Sequence, residues 1–145
     1  KLIVLEFRAI QLEDAHEIQL LSAQLGYKIT LKQTIAQIIS IQKDENAFAI
    51  LAIQNEKVCG WLHGFIAIRL ESLPFAEIGG LIVDENHRNK GIANGLIQEF
   101  VHWSKSKNID KVRVRCNAIR TETHVFYEKL GFVENKTQRV FDLKM

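Results

Sequence analysis

The chain has 145 residues, 47% of them hydrophobic, and its 19 basic and 17 acidic side chains leave a formal net charge of +2. This length and composition suit one globular domain with a single core, and the balanced charge argues against a nucleic-acid partner. Because no apolar stretch is long enough to span a bilayer and no basic-then-apolar signal precedes Phe7, we expect a soluble, cytoplasmic domain over residues 1–145 with no membrane partner.

A strand and two helices are predicted at the start of the chain. Residues 5–10 have the composition of a strand, and residues 14–25 predict a helix that Gly26 ends. Thr30 is followed three residues later by Gln33, a spacing typical of a capping box, so a second helix is predicted from there. The inner faces of the two helices would carry aliphatic side chains: Ile18, Leu21 and Leu25 on the first, and Ile35, Ile38 and Ile39 on the second.

Three strands are predicted next, over residues 48–53, 58–70 and 75–83. The first two are joined by a polar turn of hairpin length at residues 54–57. The third contains Gly79 and Gly80, and glycine inside a strand often marks a bulge or a close approach. Two interpretations remain open: a bulge that separates this strand from its neighbour, or relief of crowding against a helix.

The segment after the third of these strands carries the strongest functional signal. It follows Leu81, Ile82 and Val83, and it consists of Arg88, Asn89, Lys90, Gly91, Ile92 and Ala93. A helix to about residue 107 is predicted to begin there, and the N–H groups of a first helical turn attract anions because they have no partner within the helix. Gly91 would let an anion approach the bare backbone, and the small side chain of Ala93 would let the anion approach the backbone there as well. Arg88 and Lys90 would add positive charge. The segment therefore predicts a pyrophosphate-binding site.

The remainder predicts a strand over residues 109–116, a helix over residues 120–130 that Gly131 ends, and two closing strands around Phe132 and Phe141. The element order becomes β-α-α-β-β-β-α-β-α-β-β. Strands that alternate with helices predict a layered α/β domain, with a mixed central β-sheet flanked by helices. Ligand sites in such domains lie outside the C-terminal ends of central strands, which is where the pyrophosphate segment falls.

The spacing Arg-x-x-Gly-x-Ala after an apolar strand resembles the coenzyme A motif of the GNAT N-acetyltransferases. Further along the chain, the run Phe-Tyr-Glu-Lys-Leu-Gly-Phe that starts at Phe126 is similar to the family's C-terminal helix signature. Phe75-Ala76-Glu77-Ile78 is similar to the strand that carries a catalytic glutamate in the histone acetyltransferase branch. The resemblance covers essentially the whole chain. It implies a single-domain GNAT fold, acetyl-CoA as cosubstrate, and no metal.

In that family two central strands separate, and the pantetheine arm of coenzyme A enters the gap between them. The resemblance implies a set of cofactor contacts: Leu81, Ile82, Val83, Arg88, Asn89, Lys90, Gly91, Ile92, Ala93, Asn117 and Phe126. The first three would pair with the pantetheine through their backbone groups, as an added strand does. Asn117 is equally suited to a helix cap or an Asx turn, and that alternative stays open.

Acetyl transfer to an amine needs a group that takes the amine's proton, because an alkyl amine is mostly protonated at neutral pH. Glu77 is the candidate for this base, and its apolar neighbours would raise its pKa toward a useful range. Two other interpretations remain. Glu77 pairs with a basic residue of an adjoining strand, or it binds a cationic substrate.

By resemblance, Tyr127 is the candidate general acid that protonates the leaving thiolate of coenzyme A. A phenol is protonated at any working pH, so it can donate to the developing charge. The other interpretations are a core aromatic residue with its hydroxyl at the surface, and a residue that positions coenzyme A without proton transfer.

Other reactive side chains give weaker signals. Cys59 and Cys116 lie in separate predicted strands with no Cys-x-x-Cys or Cys/His cluster, so we expect two buried free thiols. The five histidines show no metal-ligand spacing, although His87 would lie near the mouth of the cofactor site. A predicted strand face that we interpret as solvated carries Lys111, Arg113 and Arg115.

The sequence thus favours an enzyme that transfers the acetyl group of acetyl-CoA to a primary amine by direct attack in a ternary complex, since no Cys or Ser is placed beside a His as an activated nucleophile. A small-molecule acceptor is favoured over a protein amino group, and its pocket would use the first two helices and residues 70–74. The alternatives are a non-catalytic acyl-CoA sensor and a nucleotide-binding protein, which the Lys90-Gly91 order disfavours. A homodimer remains open.

Overall fold

The computed structural model describes residues 4–145. These residues fall into two compact units, one that ends at Val114 and one over Arg115–Met145. The expected single domain over residues 1–145 stays a prediction. Within the described range, none of the helices is long and apolar enough to cross a membrane.

A five-stranded sheet forms the centre of the first unit. Its strands are β1 (Leu5–Ala9), β2 (Ala47–Gln54), β3 (Lys57–Ala67), β4 (Phe75–Val83) and β5 (Val112–Val114). They follow chain order across the sheet, and all neighbours are antiparallel except β4 and β5, which are parallel. The helices of this unit are α1 (Ala15–Gln24), α2 (Leu31–Lys43) and α3 (Ile92–Ser106). The predicted mixed sheet flanked by helices is therefore confirmed.

The helices cover both faces of the sheet. On one face, side chains of α1 and α2 form a core with Leu51 and other strand residues, and Trp61 packs against it. On the other face, side-chain atoms of Ile92 and Leu96 in α3 come within 3.5 Å of the position that a Cβ would take on Gly60. Successive strand residues point to opposite faces of the sheet. Accordingly, Gly60 faces α3, and its neighbour Trp61 faces the core formed with α1 and α2.

Two local signals are confirmed in atomic detail. The backbone N of Gln33 donates to Thr30 Oγ1 at 3.1 Å, and the backbone N of Thr30 donates to Gln33 Oε1 at 2.9 Å, so the capping box opens α2 as predicted. The β2–β3 turn uses positive φ angles at Asn55 (52°) and Glu56 (68°). Those angles are typical of the tight turns that join antiparallel strands.

The inward faces of α1 and α2 are largely as predicted, since Ile18, Leu21 and Ile38 are buried. Leu25 and Ile39 were expected inside but are 43% and 38% exposed. Leu25 lies beyond the last residue of α1 and leaves its helical register. Ile39 directly follows Ile38, and only one of two adjacent helical residues can face the sheet centre.

Two strands are shorter than predicted. β3 ends at Ala67, because its partner strand begins opposite that residue, at Phe75. β5 covers only Val112–Val114 of the predicted residues 109–116. The backbone N of Ile109 donates to the carbonyl of Ser104 at 3.0 Å, so this residue completes the end of α3 instead of starting the strand.

The second unit contains one helix, α4 (Thr121–Lys129), within the described residues. Gly131 has a φ of 95° and ends the helix as predicted. The prediction of two closing strands around Phe132 and Phe141 is wrong, because residues 132–145 form no strand. The backbone N of Phe132 donates to the carbonyl of Tyr127 at 3.0 Å and so belongs to the helix cap. Phe141 is 84% exposed, so no buried face holds that segment in a strand register.

The two cysteines lie in different environments. Cys59 is buried, as expected, with its Sγ 3.4 Å from the carbonyl oxygen of Ala52. Cys116 is exposed, so the prediction of a buried thiol is wrong there. The reason is that β5 stops at Val114, before Cys116.

Candidate active site

A bulge, which was one of the two interpretations of Gly79 and Gly80, lies in β4 at Gly79. His63 pairs with Gly80 and Gly64 pairs with Ile78, so Gly79 is an extra residue without a partner on β3. A Cβ on Gly79 would lie 3.1 Å from His63 Nδ1, and one on Gly80 would lie 2.9 Å from the Trp61 ring. The crowding that requires glycine therefore comes from β3 rings, and the alternative of crowding against a helix is wrong.

The bulge coincides with the end of the β4–β5 ladder. β5 pairs with Ala76, Glu77 and Ile78 of β4 and goes no further. From Gly79 to Val83, no strand within residues 4–145 pairs with this edge of β4. A sheet edge without a partner strand presents N–H and C=O groups with which an extended ligand can pair.

The predicted pantetheine-contact residues occupy this same edge. Leu81 and Val83 are half-buried, whereas Ile82 is only 4% exposed and packs in the core between the sheet and α1. Ile82 can therefore offer only backbone groups to a ligand. Its neighbours can offer both backbone and side-chain contacts.

α3 begins at a backbone geometry that favours an anion. Gly91 is its N-cap residue, with a φ of 78°, and no side chain caps the helix there. Within residues 4–145, no atom beyond its immediate chain neighbours lies within 4 Å of the position that a Cβ would take on Gly91, so that side of the residue is open. Asn89, two residues earlier, also has a positive φ, of 62°. The helix thus begins at an exposed glycine that has no side chain to cap the first-turn N–H groups, as a phosphate site requires.

The six residues of the pyrophosphate segment differ in exposure. Arg88, Asn89, Lys90 and Gly91 are exposed, and Ala93 is half-buried. Ile92 is 2% exposed and belongs to the core, so it can contribute only its backbone N–H. The Nε of Arg88 donates to the carbonyl of Val83 at 3.3 Å, which ties the segment back to the end of β4.

A buried carboxylate that sequence reasoning missed holds the start of this segment. Asp84 is 7% exposed, and its carboxylate accepts from Gln24 Nε2 at 2.7 Å and lies 2.6 Å from His87 Nδ1. The hydrogen bond from Gln24, aided by His87, lowers the pKa of Asp84 although burial opposes the shift. The backbone N of Glu85 also donates to Gln24 Oε1, at 3.3 Å. α1 is thereby joined to the loop that opens α3.

Glu77 lies on the face of β4 that α1 and α2 cover. It is half-buried, and it pairs in register with Phe65 on β3 and with Arg113 on β5. Strand alternation places Phe75 on the same face, two residues away. The candidate base is therefore flanked by an aromatic residue on one side and a cation on the other.

Phe75 is itself surrounded by cations. Its ring centroid lies 4.2 Å from Cζ of Arg113, 5.1 Å from Nζ of Lys111 and 5.2 Å from Cζ of Arg69. Arg113 is half-buried, so the prediction of a solvated strand face is wrong for this residue. The aromatic ring beneath it explains the difference, because an arginine stem and guanidinium cover apolar surface well.

A cavity of about 300 Å³ lies on this face of the sheet, between the end of α2 and the strands β2 and β3. Its lining includes Ser40, Asp44, His63 and Phe65. Burial lowers the pKa of His63, against an opposing effect of Asp44, so the imidazole is neutral at pH 7. The cavity lining draws on α2 but not on α1 or residues 70–74, which sequence reasoning had included.

The second unit holds the other candidate residues. Tyr127 is half-buried in α4, and its ring makes edge-to-face contacts with Phe126 at 5.1 Å and Phe132 at 5.3 Å. Burial raises the pKa of Tyr127 to about 12. Asn117 is exposed, and its Oδ1 accepts from the backbone N of Ile119 at 3.1 Å. Asn117 thus forms the local Asx turn that was one of its two interpretations.

Metal-binding residues are not gathered anywhere in the described part of the chain. Within residues 4–145, no three His, Cys, Asp or Glu side chains converge as a metal site would require.

Comparison with known proteins relates this geometry to a family. The sequence model of the acetyltransferase (GNAT) family matches residues 12–132. An uncharacterized N-acetyltransferase of Methanocaldococcus jannaschii is 24% identical over 102 residues, which are 66% of this chain and 43% of that protein. The chain thus spans less than half the length of this relative.

Solved structures share the fold. The aminoglycoside N-acetyltransferase AAC(6')-Iy, in complex with the bisubstrate analogue CoA-S-monomethyl-acetylneamine, matches with a TM-score of 0.87 at 17% identity, over 98% of this chain and 99% of that one. Glucosamine-6-phosphate N-acetyltransferase from Arabidopsis thaliana matches with a TM-score of 0.84 at 18% identity, over 97% of this chain and 99% of that one. At these identities the likeness shows the fold alone. Because the family model matches most of the sequence, the chain belongs to the acetyltransferase (GNAT) family.

Proposed function

We propose that this protein transfers the acetyl group of acetyl-CoA to a primary amine of a small molecule, by direct attack in a ternary complex. One observation carries the proposal. The edge of β4 that lacks a partner strand begins at the Gly79 bulge and ends at Val83, and the exposed N-terminus of α3 follows at Gly91. A ligand with an extended arm that ends in a pyrophosphate could pair with the β4 edge and place its pyrophosphate at the N-terminus of α3. Coenzyme A has that form.

The cofactor would be held by two kinds of contact. Backbone groups of Leu81, Ile82 and Val83 would pair with the pantetheine amides. The pyrophosphate would lie against the backbone N–H groups of Gly91, Ile92 and Ala93, with Arg88, Asn89 and Lys90 around it. Asn117 and Phe126 complete the proposed set of contacts.

The chemistry assigned to the site needs a base, a polarising donor and an acid. Glu77 would take the proton of the acceptor ammonium, directly or through one water, so that the nitrogen can attack the thioester carbon. A backbone N–H of β4 would stabilise the oxyanion of the tetrahedral intermediate. Tyr127 would donate its proton to the departing thiolate. Its pKa of about 12 keeps it protonated throughout the working range.

The acceptor would bind on the α1 and α2 face of the sheet. Phe65 lines the cavity there and is also the register partner of Glu77, so an acceptor in the cavity has the candidate base within reach. Relatives of the same fold support a small molecule, since they include enzymes for aminoglycosides and for glucosamine 6-phosphate. The volume of this open cavity, about 300 Å³, is at the lower end of the range for small-molecule sites.

The decisive experiment is a screen of amines against acetyl-CoA that records the release of free thiol, combined with thermal unfolding. We expect acetyl-CoA to raise the melting temperature and at least one small amine to release thiol. Stabilisation by acetyl-CoA without turnover on any amine or peptide would instead support a coenzyme A sensor. Stronger stabilisation by ATP or NAD than by coenzyme A would overturn the proposal in favour of nucleotide binding.

A further inference from the structure

The cations around Phe75 come from two separate segments of the first unit. Arg69 lies in the loop after β3, Lys111 lies just before β5, and Arg113 lies within β5. All three converge on one ring that is itself only 1% exposed. Arg69 is far from Lys111 and Arg113 in sequence, so its position on the same ring is a property of the tertiary structure.

The three charges are close enough to repel one another. Each lies within 5.2 Å of the Phe75 centroid, so no two of them are much more than about 10 Å apart, which is near the Debye length of ~8 Å at physiological ionic strength. The attraction of each cation to the aromatic face offsets this repulsion only in part. A negative ligand between them would remove it.

The protein's own carboxylates do not balance this cluster. Glu77 pairs in register with Arg113, and even if it neutralises that cation fully, two positive charges remain. Glu71 and Asp110 are neighbours in sequence, but both are exposed, and neither forms an ion pair with Arg69, Lys111 or Arg113 in the described structure.

From this arrangement we infer that the acceptor amine also carries a negatively charged group, a phosphate or a carboxylate, which Arg69, Lys111 and Arg113 bind. The inference rests on the proposed acetyl transfer and specifies its acceptor class. The backbones of the register partners Glu77 and Arg113 are one strand spacing, about 4.8 Å, apart. A negative group on the same small molecule therefore reaches the cluster while the amine stays at the base.

The chemistry of the three side chains matches such a group. The planar guanidinium of an arginine donates two parallel hydrogen bonds to a phosphate or carboxylate, and a lysine ammonium adds a point charge. The same cluster repels a polycationic amine. The cluster therefore favours amines that carry a negative group elsewhere in the molecule over amines that carry further positive charges.

Matched acceptor pairs test this selection. Initial rates should be compared for phosphoethanolamine against ethanolamine and for aminohexanoate against hexylamine, with spermidine as a polycation. We expect kcat/KM to be about tenfold higher for the anionic member of at least one pair, in line with a charge-assisted hydrogen bond, and the preference to shrink as salt is added. Equal efficiencies within both pairs at low salt, or a preference for spermidine, would overturn the inference.

A variant and its control locate the effect. Lys111→Gln removes one charge of the cluster, whereas Lys107→Gln removes a lysine that lies 6.0 Å from the Trp103 ring in another part of the fold. We expect Lys111→Gln to raise KM for the anionic acceptor about three- to tenfold while leaving KM for acetyl-CoA and for the uncharged partner unchanged. Lys107→Gln should change none of these values. An equal change in KM for the anionic acceptor and for its uncharged partner in Lys111→Gln would contradict the inference.

Binding of inorganic phosphate separates this inference from the proposed function. Phosphate should shift the guanidinium NMR resonances of Arg69 and Arg113 in the wild type, and more weakly in Lys111→Gln. If no amine is acetylated but these shifts occur, the proposed function fails and the anion site stands. If amines are acetylated and phosphate causes no shift, the acetyltransferase stands and the anion site is refuted.

Discussion

The side-chain amide of Gln24 donates a hydrogen bond to the carboxylate of Asp84, with Nε2 and Oδ1 2.7 Å apart. The two residues are 60 positions apart in sequence. Asp84 follows β4 directly, and its backbone N donates to the carbonyl of Cys59 on β3 at 2.8 Å. Asp84 therefore joins the start of the proposed pyrophosphate segment to α1 through its carboxylate and to β3 through its backbone N.

We expect Gln24→Ala to weaken coenzyme A binding about two- to tenfold, because the loop that opens α3 loses its tie to α1. Isothermal titration calorimetry measures the affinity. The control is Gln19→Ala, on the same helix, because the Nε2 of Gln19 donates instead to the carbonyl of Ile29, at 3.3 Å. Equal losses of affinity in the two variants would show that Gln24 acts only through the stability of α1.

The stability that Asp84 contributes should disappear in acid. Because hydrogen bonds lower its pKa in the folded state, its carboxylate stabilises the fold above the unfolded pKa of about 3.9, and this contribution is lost as the pH falls through the lower, folded pKa. Urea unfolding should show Asp84→Asn to be less stable than the wild type at pH 7 by about 1 to 3 kcal/mol. The difference should narrow at pH 3. A difference in the free energy of unfolding that stays constant with pH would contradict a stabilising role of the Asp84 carboxylate.

Gly91→Glu should abolish the rise in melting temperature that acetyl-CoA causes, since the new carboxylate would meet the pyrophosphate and its side chain would fill the open space. Gly131→Glu is a matched control, because Gly131 also has a positive φ and open space around the position of a Cβ. Both variants should lose stability without ligand. Only Gly131→Glu should regain it when acetyl-CoA is added, and a ligand response that survives in Gly91→Glu would refute the pyrophosphate site.

Tyr127→Phe keeps the ring contacts with Phe126 and Phe132 and deletes only the hydroxyl. Turnover should fall roughly ten- to a thousandfold while the affinity for acetyl-CoA is retained, as expected for the loss of a general acid. Tyr27→Phe, at a residue that is 61% exposed, should leave turnover unchanged. A loss of acetyl-CoA affinity in Tyr127→Phe without a change in kcat would assign Tyr127 to cofactor positioning.

Glu77→Gln distinguishes a base from a substrate anchor. If Glu77 is the base, the single-turnover rate falls and the acidic limb of its pH profile disappears or moves, because an amide cannot accept the proton. If Glu77 is an anchor, the main change is a higher KM for a cationic acceptor. Glu6→Gln, an exposed glutamate on β1, is the control. Normal kinetics with reduced thermal stability would leave Glu77 a structural residue.

Features that depend on neighbouring residues could be predicted from the sequence. The Thr30 capping box, the turn at Asn55 and the helix start at Gly91 formed as expected, and the bulge at Gly79 was one of two interpretations of the glycine pair. Each is determined by backbone preferences and hydrogen bonds that act over a few residues, so local residue types carry the information.

The sequence by itself therefore determined the mixed α/β layering and the helix start at the proposed pyrophosphate segment, whereas the tertiary structure alone decided which distant side chains meet. Nothing in the residues around Gln24 indicates a partner at Asp84, and nothing local gathers Arg69 and Arg113 on one ring. Such contacts depend on strand register and helix packing. The same reason explains the error at Phe141, because an alternating apolar pattern becomes a strand only where a sheet edge pairs with it.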